Sequence, residues 1–198
     1  MLDNARTIRS SAKETIAVSM MHKAYAFDWS AFARDELHDI LLDALASGDT
    51  NGLIRYIEAN RDHLKDQDKG GPLPDNWNWK NELENFDVHE FGDLALTRFY
   101  DPMEDYGLVY DYLDLAEHLP EADLTALLGT PFGPHGAYFD PGRQGSYFQT
   151  PQEVVRSLAR VQRIDLPNID EDQRGSWPQF KQLLEECAKA GSGLYVTF

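Results

Sequence analysis

Residues 194–198 read Leu-Tyr-Val-Thr-Phe, a run that consists of β-branched and aromatic residues after the leucine. Such runs are typical of strands buried within a sheet. A similar run, His22-Lys-Ala-Tyr-Ala-Phe27, lies far upstream, and we expect the two segments to pair. Helical patterns dominate the sequence between them. The sequence therefore predicts a single α+β domain that is rich in helix, with a small sheet that includes the C-terminal strand.

The clearest helix start precedes this strand. Thr150-Pro-Gln-Glu153 combines a hydroxyl cap, proline at the first helical position and glutamate three residues after the cap. The hydroxyl and the carboxylate can each accept a backbone N–H that the first helical turn leaves unpaired. The apolar residues Val154, Leu158 and Val161 continue the helix, and a further helix is predicted up to Gly191.

Apolar residues at helical spacing predict five more helices upstream. The first is capped by Asp28 or Ser30 and ends before Gly48, and the last is closed by Gly129, which can adopt the left-handed conformation. The others are expected at about residues 51–65, 86–100, 108–119 and 120–128.

Residues 130–149 differ from these helices because glycine and proline are frequent. The segment is also rich in aromatic residues, and we expect the side chains of Tyr138, Phe139, Tyr147 and Phe148 to be at least partly buried. It is therefore interpreted as an ordered loop packed on the domain rather than as a linker.

Residues 1–19 are polar and show neither the apolar stretch nor the cleavage pattern of a secretory signal. We interpret them as a flexible N-terminal extension of a single domain that spans residues 20–198. Met20 and Met21 are alternatives to Met1 as the start of translation.

The composition excludes several classes of function. Acidic residues number 34 against 18 basic ones, giving a net charge of −16, so direct binding to nucleic acid is disfavoured. A single cysteine, Cys187, cannot form an internal disulfide, and no apolar run is long enough to span a membrane. We expect a cytoplasmic protein.

Residues 81–125 hold 13 of the acidic residues and a single basic one, Arg98. Such a segment either keeps the protein soluble or steers a basic partner, with tyrosines as anchors. Several side chains of this segment are predicted to bind the partner: Asp101, Glu104, Asp105, Tyr106, Asp111, Asp114 and Glu117. A basic toxin is the partner that we consider, which would make the chain an immunity-type inhibitor.

An alternative is a small-molecule enzyme or binding protein that uses the 130–149 loop, because loops often carry acids, bases and anion-binding arginines. Five side chains would form its pocket: His135, Tyr138, Asp140, Arg143 and Tyr147. A third interpretation is a structural or oligomeric domain without catalysis. The sequence itself leaves the oligomeric state open.

Motifs for cofactors and metals are absent from the sequence. The glycines at 129, 133 and 136 lack the lysine of a phosphate-binding loop, and no H-E-x-x-H pattern occurs. Cys187 lies in a helical pattern beside Glu185 and Glu186, whose charges suppress thiol reactivity. We therefore predict no cofactor, no metal and no catalytic cysteine.

The last third of the chain resembles a known family. Leu-Leu-Gly-Thr-Pro-Phe-Gly at 127–133, Gly-Ser-Tyr-Phe-Gln-Thr-Pro-Gln-Glu-Val at 145–154 and Ala-Gly-Ser-Gly-Leu-Tyr-Val at 190–196 follow one another as in the YfbM-like family of uncharacterised bacterial proteins. The resemblance implies a cytosolic bacterial α+β domain. It implies no catalytic residues.

Overall fold

The C-terminal strand lies inside a four-stranded antiparallel sheet. The strands are β1 (Lys23–Phe27), β2 (Thr130–Pro131), β3 (Ser146–Gln149) and β4 (Gly193–Thr197), and their order across the sheet is β1-β4-β3-β2. Tyr25 is opposite Tyr195 in the β1–β4 pair, which confirms the predicted pairing. This arrangement is seen in a computed structural model that describes residues 21–78, 83–164 and 175–198. The predicted extension at 1–19 lies outside those residues.

Eight α-helices accompany the sheet in the described residues. They are α1 (Trp29–Phe32), α2 (Glu36–Ser47), α3 (Asn51–Asn60), α4 (Val88–Leu96), α5 (Asp111–His118), α6 (Glu121–Leu128), α7 (Pro151–Val161) and α8 (Trp177–Ala190). The prediction of a helix-rich α+β domain is confirmed. No helix in the described parts of the chain is long and apolar enough to cross a membrane.

Helices cover both faces of the sheet, so the core forms two layers. Tyr25, Phe148 and Tyr195 pack with the helices of the first half of the chain. Ala24 and Leu194 point to the other face and pack with α5–α8. Because the side chains of a strand alternate between faces, β4 is apolar at consecutive positions, as expected for a strand buried on both sides.

The first predicted helix is two helices. Asp28 caps α1 by accepting from the Ala31 N–H at 2.9 Å, and Asp35 caps α2 by accepting from the Leu37 N–H at 3.0 Å. The Asp35 carboxylate also pairs with Arg98 at 3.0 Å. The prediction of one helix was wrong here, because Asp35 acts as a second N-cap and begins a new helix.

The helix predicted over residues 108–119 begins at Asp111. Leu108 and Val109 are instead bonded to His22, next to β1: the Val109 N–H donates to the His22 carbonyl at 3.0 Å and the Leu108 N–H to the ring at 3.0 Å. A tertiary contact therefore replaces the first helical turn.

The 130–149 segment is ordered and packed, as predicted, but strands β2 and β3 form its two ends. Phe139 and Phe148 are buried in the core and Tyr147 is partly buried, whereas Tyr138 is 40% exposed. Tyr138 is thus the exception among the four predicted residues, and its ring lies beside that of His135 with a centroid distance of 6.1 Å.

Candidate functional site

The segment 101–110 lies along the free edge of β1, and we call it the acidic edge segment. Tyr106 N–H donates to the Ala24 carbonyl at 2.9 Å, and His22 N–H donates to the Val109 carbonyl at 3.1 Å. The Asp105 Oδ1 accepts from the N–H groups of Ala24 at 3.0 Å and Gly107 at 2.9 Å. These bonds fix the segment and cover an edge that would otherwise expose unpaired backbone groups.

A buried histidine, His22, holds this segment in place through hydrogen bonds. The His22 ring accepts from the Leu108 N–H through Nδ1, and its Nε2 lies 3.4 Å from the carbonyl of Leu127 at the end of α6. The ring also stacks on Tyr112 with a centroid distance of 5.1 Å. Burial lowers the pKa of His22 to about 4, so the ring is neutral at pH 7. We conclude that His22 is a structural residue that orders the acidic edge segment.

The acidic edge segment presents large apolar side chains to solvent. Met103 is 60% exposed, Tyr106 40% and Tyr110 45%, and together they make up half of the six exposed large hydrophobic residues among those the structure describes. Glu104 is also exposed between them. Exposed aromatic and methionine side chains among charges are the usual composition of protein-binding surfaces.

Backbone strain is found at the same place. Val109 has a φ of 50°, in the left-handed region that β-branched residues rarely adopt. This conformation lies where the chain leaves the β1 edge and enters α5, next to Tyr110. Strained residues of this kind are held in place by surrounding contacts and cluster at functional sites.

Several of the predicted partner-binding carboxylates have contacts inside the chain. Asp105 accepts the two backbone bonds described above, and Asp111 Oδ2 accepts from the Ser176 N–H at 3.3 Å and from its hydroxyl. Asp101 accepts from the Met103 N–H at 3.0 Å and lies 3.6 Å from the Lys65 ammonium.

Of the other predicted carboxylates, those of Glu104 and Glu117 are exposed. The side chain of Asp114 lies outside what the structure describes. The structure thus brings Asp101, Glu104, Asp105 and Tyr106 together on the acidic edge segment, whereas Asp111 is engaged with the start of α8.

The five loop residues predicted as a pocket do not converge on one cavity. His135 and Tyr138 are exposed, while Asp140 Oδ1 accepts from the N–H groups of Gln144 and Gly145 within its own turn. Arg143 lies 4.0 Å from Asp87 with its side chain 76% exposed.

Tyr147 packs against Phe198, with a centroid distance of 6.4 Å. The cavity beside the loop is about 350 Å³ in volume, and the loop contributes only Ala137 to its lining; His89 and Asp87 line another part. None of the five predicted residues lines this cavity.

Asp93 is a half-buried acidic residue whose contacts sequence reasoning missed. Its carboxylate accepts from the Tyr195 hydroxyl at 3.1 Å and from Gln67 Nε2 at 2.7 Å. Burial raises the pKa of Asp93 to about 6, against the opposing effects of these two hydrogen bonds and of Lys23. The rings of Tyr25 and Tyr100 pack against Tyr195 beside it. The one signal in the sequence is an acid among apolar residues in Phe-Gly-Asp-Leu-Ala-Leu at 91–96.

Metal binding has no support in the described ranges, where no group of three or more His, Cys, Asp or Glu side chains could hold an ion. Comparison of the chain with protein-family models, with curated proteins and with solved structures found no match. The resemblance of residues 127–198 to the YfbM-like family stays a prediction from the sequence.

Proposed function

We propose that this protein is a binding module for a basic protein partner and that the acidic edge segment is its contact surface. The observation that carries the proposal is the concentration of exposed Met103, Tyr106 and Tyr110 in the stretch of the chain with the largest excess of acidic residues. Apolar anchors supply affinity when they are buried by a partner, and the surrounding carboxylates steer a basic protein towards them.

The rigidity of the segment favours this function. Its backbone is bonded to β1 and its turn is held by Asp105, so Tyr106 and Tyr110 are presented without a further loss of backbone freedom on binding. Pre-ordering of this kind improves affinity because less conformational entropy remains to be lost.

The partner that fits this chemistry is a protein with a basic surface, such as a nuclease toxin whose nucleic-acid site is positively charged. In that form the chain is an immunity-type inhibitor that acts in the cytoplasm and covers the basic site of the toxin. The acidic edge segment then takes the place of phosphate groups, in keeping with the net charge of −16.

Affinity capture from extract of the organism that encodes the chain tests the proposal. The test variant combines Tyr106→Ser with Glu104→Gln, and neither side chain forms a described hydrogen bond. The matched control combines Tyr138→Ser with Glu58→Gln, since Tyr138 and Tyr106 are both 40% exposed and Glu58 is an exposed acid on α3.

We expect wild type and control to retain the same basic protein at low salt and to release it as salt is raised, because exposed charges are screened over about 8–10 Å. The test variant should lose it. If the test variant retains every protein that wild type retains, or if the retained protein is acidic, the proposal is wrong.

A further inference from the structure

Helix α7 carries a row of arginines on its outer face. Arg156 and Arg160 are one helical turn apart, and Arg163 directly follows the end of the helix, so the three side chains lie on the same side. All three are exposed. In a chain with a net charge of −16, residues 151–163 hold these three basic residues and a single acidic one, Glu153. We call the three arginines the arginine row.

Most hydrogen-bond donors of the arginine row are unused. Arg160 donates to Asp123 through Nε, which leaves both terminal nitrogens of its guanidinium group. Arg156 Nη2 lies 3.9 Å from Glu153, which is too far for a hydrogen bond, and its side chain is 71% exposed. Arg163 forms no ion pair within the described part of the chain. The row can therefore bind further carboxylates.

An open depression of about 530 Å³ lies beside the arginine row and is larger than a tyrosine side chain. The three arginines line it together with the apolar side chains of Ala159 and Ile164. Val155, which is 53% exposed, stands next to the row on the same helix. Such a depression suits an aromatic side chain flanked by carboxylates, because guanidinium groups both stack on aromatic rings and bind carboxylates.

The acidic edge segment has this composition. Its Tyr106 is 40% exposed and adjoins the exposed acids Glu104 and Asp105. Asp105 uses Oδ1 for its two backbone hydrogen bonds, which leaves Oδ2. The segment lies on the outer edge of β1, whereas α7 packs on α6, α8, β3 and β4.

No hydrogen bond or ion pair joins the acidic edge segment to α7 among the described residues. The two surfaces are thus complementary in charge and in apolar character, but they do not meet within one molecule.

We propose that the arginine row of one copy binds the acidic edge segment of a second copy, with Tyr106 of that copy entering the depression beside the row. The two surfaces differ, so the contact is head-to-tail. The row is only about 10 Å long, which places the contact among small, weak interfaces with a Kd between about 1 µM and 1 mM. The proposal uses the same surface as the proposed function, so a second copy and the basic partner compete for it.

The net charge of the copies opposes their association and sets its salt dependence. Two copies with a net charge of −16 each repel one another over about 30 Å at 0.01 M salt. At about 0.15 M the screening length is about 8 Å, so the overall repulsion is reduced while charges in contact still attract. At about 1 M the screening length is about 3 Å, and this attraction is screened too. Association should therefore be strongest near 0.15 M salt.

Sedimentation velocity of the full chain tests the contact. Wild type is measured from about 10 µM to about 1 mM, at each of the three salt concentrations. We expect the sedimentation coefficient to rise with protein concentration at about 0.15 M salt, and to rise less at about 0.01 M and about 1 M.

A variant of the arginine row, Arg156→Gln with Arg163→Gln, should associate at least about tenfold more weakly than wild type. The matched control is Arg55→Gln with Lys189→Gln, which removes two exposed positive charges from α3 and α8. Both variants have the same net charge, so general repulsion between copies is equal in the two. The control should associate as wild type does.

Mixing two variants identifies the surfaces in contact. Glu104→Gln with Tyr106→Ser changes the acidic edge segment and by itself should also associate at least about tenfold more weakly than wild type. An equimolar mixture with the arginine-row variant still contains one intact row and one intact segment, on different molecules. The mixture should form pairs, and no larger species, with a Kd within about threefold of the wild-type contact.

Three results would overturn the proposal. They are a wild type that stays monomeric at every concentration, an arginine-row variant that associates as wild type does, and a mixture that associates no more than its two components. The first result is expected if the four acidic residues of 165–174, or another protein, occupy the row. The arginine-row variant keeps its acidic edge segment and should still capture the basic partner, so failure of this proposal and failure of the proposed function are distinguishable.

Discussion

Gly107 is the residue on which the acidic edge segment depends most directly. A Cβ atom at this position would lie 2.0 Å from the backbone oxygen of His22 and 2.6 Å from Lys23 Cα. Backbone atoms cannot move aside as the end of a flexible side chain can, so any side chain here must separate the segment from β1. The exposure of Tyr106 and Tyr110 in fixed positions therefore rests on a residue without a side chain.

We expect Gly107→Ala to lower the free energy of unfolding by more than about 2 kcal/mol, through overpacking and lost edge hydrogen bonds. Gly52→Ala is the matched control, because its Cβ would meet only the Ile40 side chain at 3.1 Å in a helix. There the change should be within about 1 kcal/mol of zero. Urea denaturation of both variants measures the difference, and equal effects would contradict the close approach at Gly107.

Asp93 makes stability depend on pH. Its pKa is about 6 in the folded protein, above the ordinary value of 3.8, because burial disfavours the carboxylate. The folded state therefore binds this proton more tightly than the unfolded state, and its contribution to stability falls as the pH rises from about 4 to 6. His22 has the opposite effect, since its lowered pKa of about 4 removes stability as the pH falls below 6.5.

Replacing Asp93 by Asn should reveal the effect of His22 alone. Relative to wild type, the free energy of unfolding of Asp93→Asn should increase between pH 4 and pH 7 by up to about 3 kcal/mol. Urea denaturation at several pH values gives this difference, and Asp43→Asn on the exposed side of α2 serves as the control. A difference between wild type and Asp93→Asn that is constant over this range would show that Asp93 is not desolvated.

At the scale of the element, α7 shows how local sequence fixes a helix start. The Thr150 hydroxyl accepts from the Glu153 N–H at 3.3 Å, and the Glu153 carboxylate accepts from the Thr150 N–H at 2.8 Å. Both partners lie within four residues, so the predicted capping box is confirmed.

Thr150→Ala should cost about 1 kcal/mol of stability, because the Glu153 N–H in the first turn loses the hydroxyl that accepts from it. Thr50→Ala provides a matched control, since Thr50 precedes α3 at the same position but makes no side-chain cap hydrogen bond. Thermal unfolding of the two variants should therefore show a clear loss for Thr150→Ala and little for Thr50→Ala. Similar losses of stability in the two variants would mean that the side-chain hydrogen bonds of the capping box do not stabilise the protein.

At the scale of the whole molecule, β4 joins the two helical layers. It pairs with both β1 and β3, and Leu194, Tyr195 and Val196 are fully buried. Tyr195 packs in the layer of α1–α4, whereas its two neighbours pack in the layer of α5–α8. The last residues of the chain therefore link the cores that the first and second halves of the sequence build.

Removal of residues 194–198 should unfold the protein. Each large apolar side chain contributes about 1.5–3 kcal/mol when fully buried. The loss of three of them, together with the hydrogen bonds that β4 makes to β1 and β3, approaches the free energy of unfolding of a typical domain, about 5–15 kcal/mol. Removal of Phe198 alone, which is only partly buried, should leave a folded protein. Circular dichroism and thermal unfolding separate the two outcomes, and a five-residue truncation with unchanged thermal stability would contradict this role of β4.

The sequence by itself determined the features that depend on a few neighbouring residues. The cap of α7, the glycines Gly48 and Gly191 at which α2 and α8 end, and the apolar strand at 194–198 are all visible in short patterns, whereas Gly129, predicted to be left-handed, has a φ of 108° and a ψ of −147°. The sequence also located the acidic segment, because charge is a property of composition. These signals are local because helix caps and strand alternation are local interactions.

Only the tertiary structure decided which polar side chains remain available for function. Asp105 meets the Ala24 N–H 81 residues away, Asp111 meets Ser176 65 residues away, and Gln149 meets the Ala126 carbonyl 23 residues away. No local pattern marks such contacts, since they depend on how the sheet brings distant segments together. The same folding that engages these groups leaves Tyr106 in solvent and Gln149 Oε1 without a partner, because each buried hydrogen bond uses one donor and one acceptor and the packing fixes which pairs can meet.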